Sequence, residues 1–328
     1  MPRLLALLFI CLLALPALAQ SGPDCQGRDL LAALTPTKKA ALIGEAPFAN
    51  GNFWQARKGK TTITIAGSYR LNDPRFDPLM PKLAPYLDAA AALLVEAGPK
   101  QQAALKADMV AHPEHLIITS GPTLPEALSA ADWHKLTVAL TPQGIPTVVA
   151  AKLQPWYVAI LLGMPICKPT PDLLNGLDNR LITLAEARRI PIEALEPWDT
   201  AIKFFETMSP AEQMKMLHLQ LAQADSPTDL AITLANAYFA GAHQLLWAWG
   251  RQQALDAPGG TLAERRAEFD RMARALLTDR TRSWIAPLLA AADGKTVFLA
   301  VGAAHLGGRD GLLSLLQAEG FRISPLDL

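Results

Sequence analysis

The chain has 328 residues, of which 51% are hydrophobic, and its 30 basic and 30 acidic side chains cancel to a formal charge of zero. This balance gives no basis for binding nucleic acid or an anionic membrane surface, because both recruit an excess of Lys and Arg. The length exceeds the roughly 100–200 residues usual for one domain, so one large domain and two closely packed halves are both open.

The first 19 residues have the pattern of a secretory signal peptide. An arginine at position 3 precedes an apolar run from Leu4 to Leu18, and small residues flank a cleavage position before Gln20. The run is shorter than the ~20 residues that span a bilayer. We therefore expect cleavage and a periplasmic or secreted protein, residues 20–328, with no stable membrane anchor after cleavage. The alternative is an uncleaved N-terminal anchor.

Two cysteines, Cys25 and Cys167, follow this segment. Outside the cytoplasm, such a pair favours a disulfide that would tie the N-terminal segment to the middle of the chain. The alternative is that both are unpaired, buried small residues.

A strand, a helix and a second strand are predicted over residues 61–95. Residues 61–66 alternate and are β-branched, which predicts a strand that ends at Gly67. Pro81 can begin a helix that continues to about residue 90. Residues 92–95 then form a short apolar run that ends at Glu96. This order within so few residues is typical of parallel strands joined by a helix.

Helices are predicted over most of the middle of the chain, the first around residues 124–139. A helix over residues 179–189 precedes a strand over 190–195, which ends at Glu196. Beyond it, residues 198–290 are predicted to form a helical insertion in which Ser209 and Thr261 begin helices, because each is followed three residues later by Glu.

The C-terminal segment repeats the strand–helix pattern. Residues 295–301 form the clearest strand of the sequence, followed by Gly302 and His305. Asp310 is placed to cap a helix that ends at Gly320, and residues 321–323 can form a last strand. The sequence thus predicts a single α/β domain with a mostly parallel central sheet, helices on its faces and the helical insertion in the C-terminal half.

Three polar residues follow predicted strands and are the main candidates for a site. Arg70 comes after the first strand, Glu96 after its neighbour and His305 after the C-terminal strand. Ligands bind beyond the carboxyl ends of parallel strands, where these side chains would meet. A lone histidine at a strand end is more often structural, but the paired Gly-x-x-Arg70 and Gly-x-x-His305 segments favour a shared site.

The sequence resembles the TraB/GumN family over nearly the whole chain after the signal peptide. The segments that carry the resemblance occur in the order expected for the family: Ile-Ala-Gly-Ser-Tyr-Arg-Leu-Asn-Asp-Pro-Arg (65–75), Leu-Leu-Val-Glu-Ala-Gly (93–98), Leu-Asp-Asn-Arg-Leu to Ile-Glu-Ala-Leu-Glu (177–196), Asp-Arg-Thr-Arg-Ser-Trp (279–284) and Val-Phe-Leu-Ala-Val-Gly-Ala-Ala-His-Leu to Gly (297–320).

The resemblance implies a metal-dependent hydrolase, because the family includes the TIKI-type peptidases, whose site uses two Gly-x-x-His motifs and a glutamate. Glu96 and His305 match this pattern and are the implied ligands of a divalent metal (Mn, Co or Zn). Arg70 stands where the pattern has histidine. Arginine has no lone pair for a cation. It would either occupy the metal position and pair with Glu96, or point away and leave a weak metal site completed by water or by another ligand. The implied site is therefore altered.

Two functions from different classes remain at this stage. One is hydrolysis of a peptide or small-molecule substrate by a metal-activated water at Glu96 and His305, with Arg280 stabilising a developing oxyanion. The other is a non-catalytic binding or chaperone-like role in the cell envelope on the same scaffold. Glu196 either joins the site or caps a helix. The sequence does not specify the substrate or the oligomeric state.

Overall fold

The computed structural model describes residues 27–164, 172–222, 227–257 and 259–328. The predicted signal peptide (residues 1–19), Cys25 and Cys167 lie outside these residues, so cleavage and the disulfide stay predictions. Within the described part of the chain, no helix is both long and apolar enough to cross a bilayer.

The described residues form the following strands and helices in chain order. The strands are β1 (Phe53–Lys58), β2 (Thr61–Ser68), β3 (Leu93–Val95), β4 (Ile192–Ala194), β5 (Thr296–Gly302) and β6 (Arg322–Pro325). The α-helices are α1 (Pro36–Ile43), α2 (Met80–Asp88), α3 (Pro99–Ala111), α4 (Leu124–Ala127), α5 (Ala130–Leu140), α6 (Thr147–Ala150), α7 (Pro155–Gly163), α8 (Leu177–Ala187), α9 (Thr200–Glu206), α10 (Pro210–Ala222), α11 (Pro227–Phe239), α12 (His243–Leu255), α13 (Leu262–Ala273), α14 (Asp279–Ala292) and α15 (Leu312–Ala318).

One six-stranded sheet, in the order β4-β3-β5-β2-β1-β6, organises the fold. The strands β4, β3, β5 and β2 are parallel, but β1 runs antiparallel to both β2 and β6. The α/β class with flanking helices is confirmed, whereas the prediction of a mostly parallel sheet is wrong, because the sheet is mixed. The difference comes from β1, which forms a hairpin with β2 across the two residues Gly59 and Lys60. Gly59 has a φ of 56°, which suits the first position of a two-residue hairpin loop.

The inner parallel strands β3 and β5 are apolar on both faces because both faces are buried. In β5, Val297, Leu299 and Val301 join one buried cluster, while Phe298 and Ala300 join the cluster on the opposite face. Successive side chains of a strand point to opposite faces, and strands buried on both sides are continuously apolar rather than alternating. This explains why the sequence from 296 to 302 is so clear a strand signal.

The chain divides into two compact units. The first contains Gln102–Leu173 and Trp198–Thr233 together with the described residues up to Leu30; the second contains Leu31–Gln101, Leu174–Pro197 and Leu234–Leu328, and therefore the whole sheet. The first unit is helical. In it α7 is buried along its entire length, and Trp156 of α7 stacks on Phe205 of α9 with ring centroids 4.4 Å apart.

Two predicted helix starts in the middle of the chain have the expected capping interactions. The backbone amide of Glu212 donates to the Ser209 hydroxyl, and the Glu212 carboxylate accepts from the backbone of Ser209 in return. Thr261 and Glu264 form the same reciprocal pair at the start of α13. These bonds satisfy backbone amides that have no partner inside the helix.

Gly176 fixes the start of α8 against the loop that follows β2. The amides of Gly176 and Leu177 donate to the carbonyls of Arg70 and Tyr69, at 3.1 and 3.0 Å. A Cβ on Gly176 would lie 2.1 Å from the Tyr69 carbonyl oxygen and 2.4 Å from the Arg70 carbonyl carbon. Only glycine permits this approach, which brings the first turn of α8 next to Arg70.

Replacement of Gly176 by alanine is expected to lower the free energy of unfolding by about 3 kcal/mol or more, because the new methyl group meets backbone that cannot move independently. Urea denaturation measures the loss. Gly98→Ala is the matched control, since a Cβ there meets its nearest atoms, on the side chains of Ile192 and Gln101, at 3.3 and 3.4 Å. A loss at Gly176 no larger than the loss at Gly98 would contradict the role assigned to this contact.

Candidate functional site

The ends of three neighbouring strands bring Arg70, Glu96 and His305 together. Arg70 Nη2 lies 2.5 Å from Glu96 Oε2, and the amide of Gly302, the last residue of β5, donates to Glu96 Oε1 at 2.7 Å. The position that a Cβ on Gly302 would occupy lies 3.3 Å from Glu96 Oε1 and 3.5 Å from His305 Cδ2. The Glu96 carboxylate and the His305 imidazole therefore both lie next to Gly302, in the proximity that the sequence predicts.

Arg280, on the first turn of α14, binds two carboxylates at once. Its Nη2 lies 2.9 Å from Glu96 Oε2 and 2.6 Å from Glu196 Oε1, and its Nε donates to Glu196 Oε2 at 2.9 Å. The Trp284 indole also donates to Glu196 Oε2, at 3.0 Å. Glu196 therefore joins the cluster, which resolves the alternative that the sequence left open.

The cluster is buried, so its charges act strongly on each other. The side chains of Glu96 and Glu196 are 5% and 9% exposed, and those of Arg70 and Arg280 are each 10% exposed. Burial alone would raise the pKa of Glu96, but Arg70 and Arg280 outweigh it and hold that pKa well below its usual range. Burial likewise opposes the charge of Arg280, while Glu96 and Glu196 raise the pKa of that guanidinium. Glu96 and Arg280 are therefore both ionised.

His305 is neutral, and its tautomer follows from its hydrogen bonds. The Thr281 hydroxyl donates to the Leu277 carbonyl at 2.8 Å, so it must accept the bond of 2.7 Å that joins it to His305 Nδ1. The proton is therefore on Nδ1. The opposite nitrogen, Nε2, has a lone pair and no hydrogen-bond partner among the described residues. Burial lowers the pKa of His305 to about 3, against a raising effect of Glu96 and with a further lowering by Arg280 and Arg70.

Asp178 adds a third carboxylate on the side of Arg70. Its Oδ2 lies 3.6 Å from Arg70 Nη1, and burial raises its pKa against the opposing effect of Arg70. Its Oδ1 has no partner among the described residues. Asp178, Arg70 and Glu96 line a small cavity with room for about one water molecule.

The donor set around Glu96 does not fit a divalent cation. A catalytic zinc site commonly has three protein ligands and an open water position. Here both oxygens of Glu96 accept hydrogen bonds from positively charged or backbone donors, and Arg70 adds a fixed positive charge. Among the described residues of the cluster, the acceptor atoms without a partner are His305 Nε2 and Asp178 Oδ1. Across the described ranges, no group of three or more His, Cys, Asp or Glu side chains has the spacing to hold a metal.

A family model describes nearly the whole of the chain that contains this site. The model of the TraB/PrgY/gumN family matches residues 52–325. The chain belongs to the TraB/PrgY/gumN family. This confirms the resemblance found in the sequence. A comparison with curated proteins found no match.

Two residues of the site in this TraB/PrgY/gumN protein, Asp178 and Thr281, were not predicted from the sequence. Asp178 lies in the Leu-Asp-Asn-Arg segment and Thr281 directly follows Arg280, so both fall in segments that resemble family motifs. Their side chains gain a role only through the placement of α8 and α14 against the strand ends. The oxyanion role of Arg280 stays a prediction.

Replacement of Arg280 by methionine is expected to cost about 3–5 kcal/mol of unfolding free energy, because it leaves Glu96 and Glu196 partly uncompensated in a buried site. In a double-mutant cycle with Glu196→Gln, the two losses should be strongly non-additive. Arg282→Met is the matched control on the same helix. Its pair with Asp310 is 57% and 56% exposed, so a loss of at most about 1 kcal/mol is expected. Equal losses at positions 280 and 282 would contradict the role of Arg280 in neutralising the two buried carboxylates.

Acid is expected to destabilise the protein partly through His305. The unfolded chain takes up a histidine proton near pH 6.5, whereas folded His305 does so at about pH 3. The free energy of unfolding therefore falls as pH drops through this window, by up to about 1.4 kcal/mol per pH unit for this proton. His305→Gln should remove that part of the slope in urea denaturation between about pH 5 and pH 6. An unaltered slope in His305→Gln would contradict the assignment.

Proposed function

We propose that this protein is an exported, non-hydrolytic binding member of the TraB/PrgY/gumN family, in which Arg70 neutralises Glu96 in place of a metal ion. The observation that carries the proposal is the contact of 2.5 Å between Arg70 Nη2 and Glu96 Oε2. Export is the expectation from the N-terminal sequence. Binding without turnover is the envelope role that the sequence analysis left open.

The energetics of the cluster support this assignment. A cation that bound Glu96 would have to displace two guanidinium groups that already neutralise it, and it would have to approach the fixed charges of both. If Arg70 were displaced from Glu96, its positive charge would keep Asp178 as a nearby carboxylate but would lose Glu96. The loss of one of its two carboxylate partners in a buried site destabilises Arg70. The arginines therefore perform the charge-balancing part that a metal would perform at this carboxylate.

A second candidate, a metal-dependent hydrolase, is favoured by one observation. His305 Nε2 offers a lone pair and has no partner among the described residues, and its Nδ1 is held by Thr281 in the manner that orients ligating histidines. This function requires Arg70 to leave Glu96 before a cation enters. The two candidates therefore differ in what removal of Arg70 does.

Arg70→His should create a metal site that the wild type lacks, because it exchanges a charged donor for an imidazole lone pair. Calorimetric titration with Mn²⁺, Co²⁺ and Zn²⁺ is expected to show at least about tenfold tighter binding in Arg70→His than in the wild type. Arg70→Leu is the control, since it removes the charge without adding a ligand. Its affinity for the metal ions should increase much less. His305→Ala in the Arg70→His background should abolish the gain.

Hydrolysis is measured on the same proteins with a set of fluorogenic peptides. No chelator-sensitive cleavage by the wild type is expected. Cleavage by the wild type that disappears with chelator and in His305→Ala would overturn the proposal in favour of the second candidate.

A further inference from the structure

A second cavity in the same unit contacts the opposite flank of the His305 segment. It has a volume of about 160 Å³ and is formed by the loop that follows β5, the first turns of α12 and α14 and the π-helical turn between α13 and α14. His305 and Thr281 belong to its wall. The cavity therefore adjoins the buried cluster through the imidazole, although Arg70 and Glu96 do not line it.

The loop of this cavity is built rigidly around glycine. A Cβ on Gly307 would lie 2.4 Å from the Phe48 carbonyl oxygen, and a Cβ on Gly311 would lie 2.2 Å from the Gly307 carbonyl oxygen. The Gly308 amide donates to the Pro47 carbonyl at 2.8 Å, and the Ser314 hydroxyl donates to the Gly308 carbonyl at 2.7 Å. Such close packing fixes the wall in one shape, which is a property of preformed ligand sites.

Several polar side chains of the cavity have no protein partner. The side chains of Gln244, Thr278 and Arg309 make no hydrogen bond or ion pair with the described residues, and all three line the cavity. Thr278 ends the π-helical turn, a feature frequent at functional sites. Together these groups offer an amide, a hydroxyl and a guanidinium to a ligand.

The charges of the cavity favour an anion. Arg309 and Asp310 are the charged lining residues, and Asp310 is already paired with Arg282 at 2.7 Å. The imidazole of His305 is already held through Nδ1 by Thr281. The guanidinium of Arg309 is thus left uncompensated beside a wall that includes Trp247. A fork of guanidinium donors matches a carboxylate, and the Trp247 side chain suits an apolar or aromatic group.

We infer that this cavity binds a small carboxylate ligand of about the size of one amino-acid residue, with its carboxylate at Arg309 and its apolar part against Trp247. The inference rests on the proposed binding function and names its ligand class. Two sources share this chemistry, a free small carboxylic acid and the C-terminal residue of a peptide.

The test is calorimetric titration of the full chain with N-acetyl-phenylalanine. Saturable binding is expected, and N-acetyl-phenylalaninamide, which has the same shape without the charge, should bind at least about tenfold more weakly. The peptide Ala-Ala-Phe with a free C-terminus distinguishes the sources: affinity equal to or above that of the single residue identifies a peptide end, and weaker binding identifies a free acid. Equal affinity for acid and amide, or no saturable binding of either acid, overturns the inference.

Arg309→Met should weaken the binding of N-acetyl-phenylalanine at least about tenfold. It should not change the thermal stability of the protein, because Arg309 is exposed. Thr278→Val should weaken the binding less. Arg322→Met removes an equally exposed arginine on β6 and should have no effect. Unchanged affinity in Arg309→Met overturns the inference. This failure is distinct from failure of the proposed function, which is decided by chelator-sensitive hydrolysis in the wild type.

Discussion

The arrangement of the site depends on the burial of one carboxylate. Glu96 directly follows β3, which has a neighbouring strand on each side, and an isolated buried charge there would cost several kcal/mol. Arg70 and Arg280 neutralise it from two directions, and the Gly302 amide completes its hydrogen bonds. Arg280 is itself held by Glu196. Each partner is thus fixed by another, and the cluster is a network in which loss of one member exposes the charge of the next.

This network changes what the inherited scaffold can do. In the metal-dependent peptidases that the family includes, a cation would balance the glutamate and activate water. In this chain Arg70 balances Glu96, and it cannot donate a lone pair or lower the pKa of a bound water. What remains is a neutral His305 with one unpartnered nitrogen, beside a cavity that carries the guanidinium of Arg309. The function proposed for such a scaffold is therefore binding of a ligand without its hydrolysis.

The sequence predicted the parallel strands and the residues at their ends, because continuous apolar runs and terminal polar residues are local patterns. It did not predict β1, because the Phe-Trp-Gln-Ala-Arg-Lys sequence of this strand is only partly buried. The hairpin between β1 and β2 also uses Gly59 without a common turn dipeptide. The prediction of a mostly parallel sheet was wrong because it left out this antiparallel strand. The pairing of Arg70 with Glu96 followed from charge and strand order. The roles of Asp178 and Thr281 did not, since they depend on how distant helices pack against the strand ends.

The central claim is that Arg70, and not a metal ion, neutralises Glu96. Anomalous diffraction from crystals of the wild-type protein soaked in Mn²⁺ tests it directly. The account predicts no anomalous peak at metal-ligand distance from the Glu96 carboxylate, with the Arg70 guanidinium still bonded to it. A peak between Glu96 and His305 Nε2, with Arg70 turned away, would contradict it.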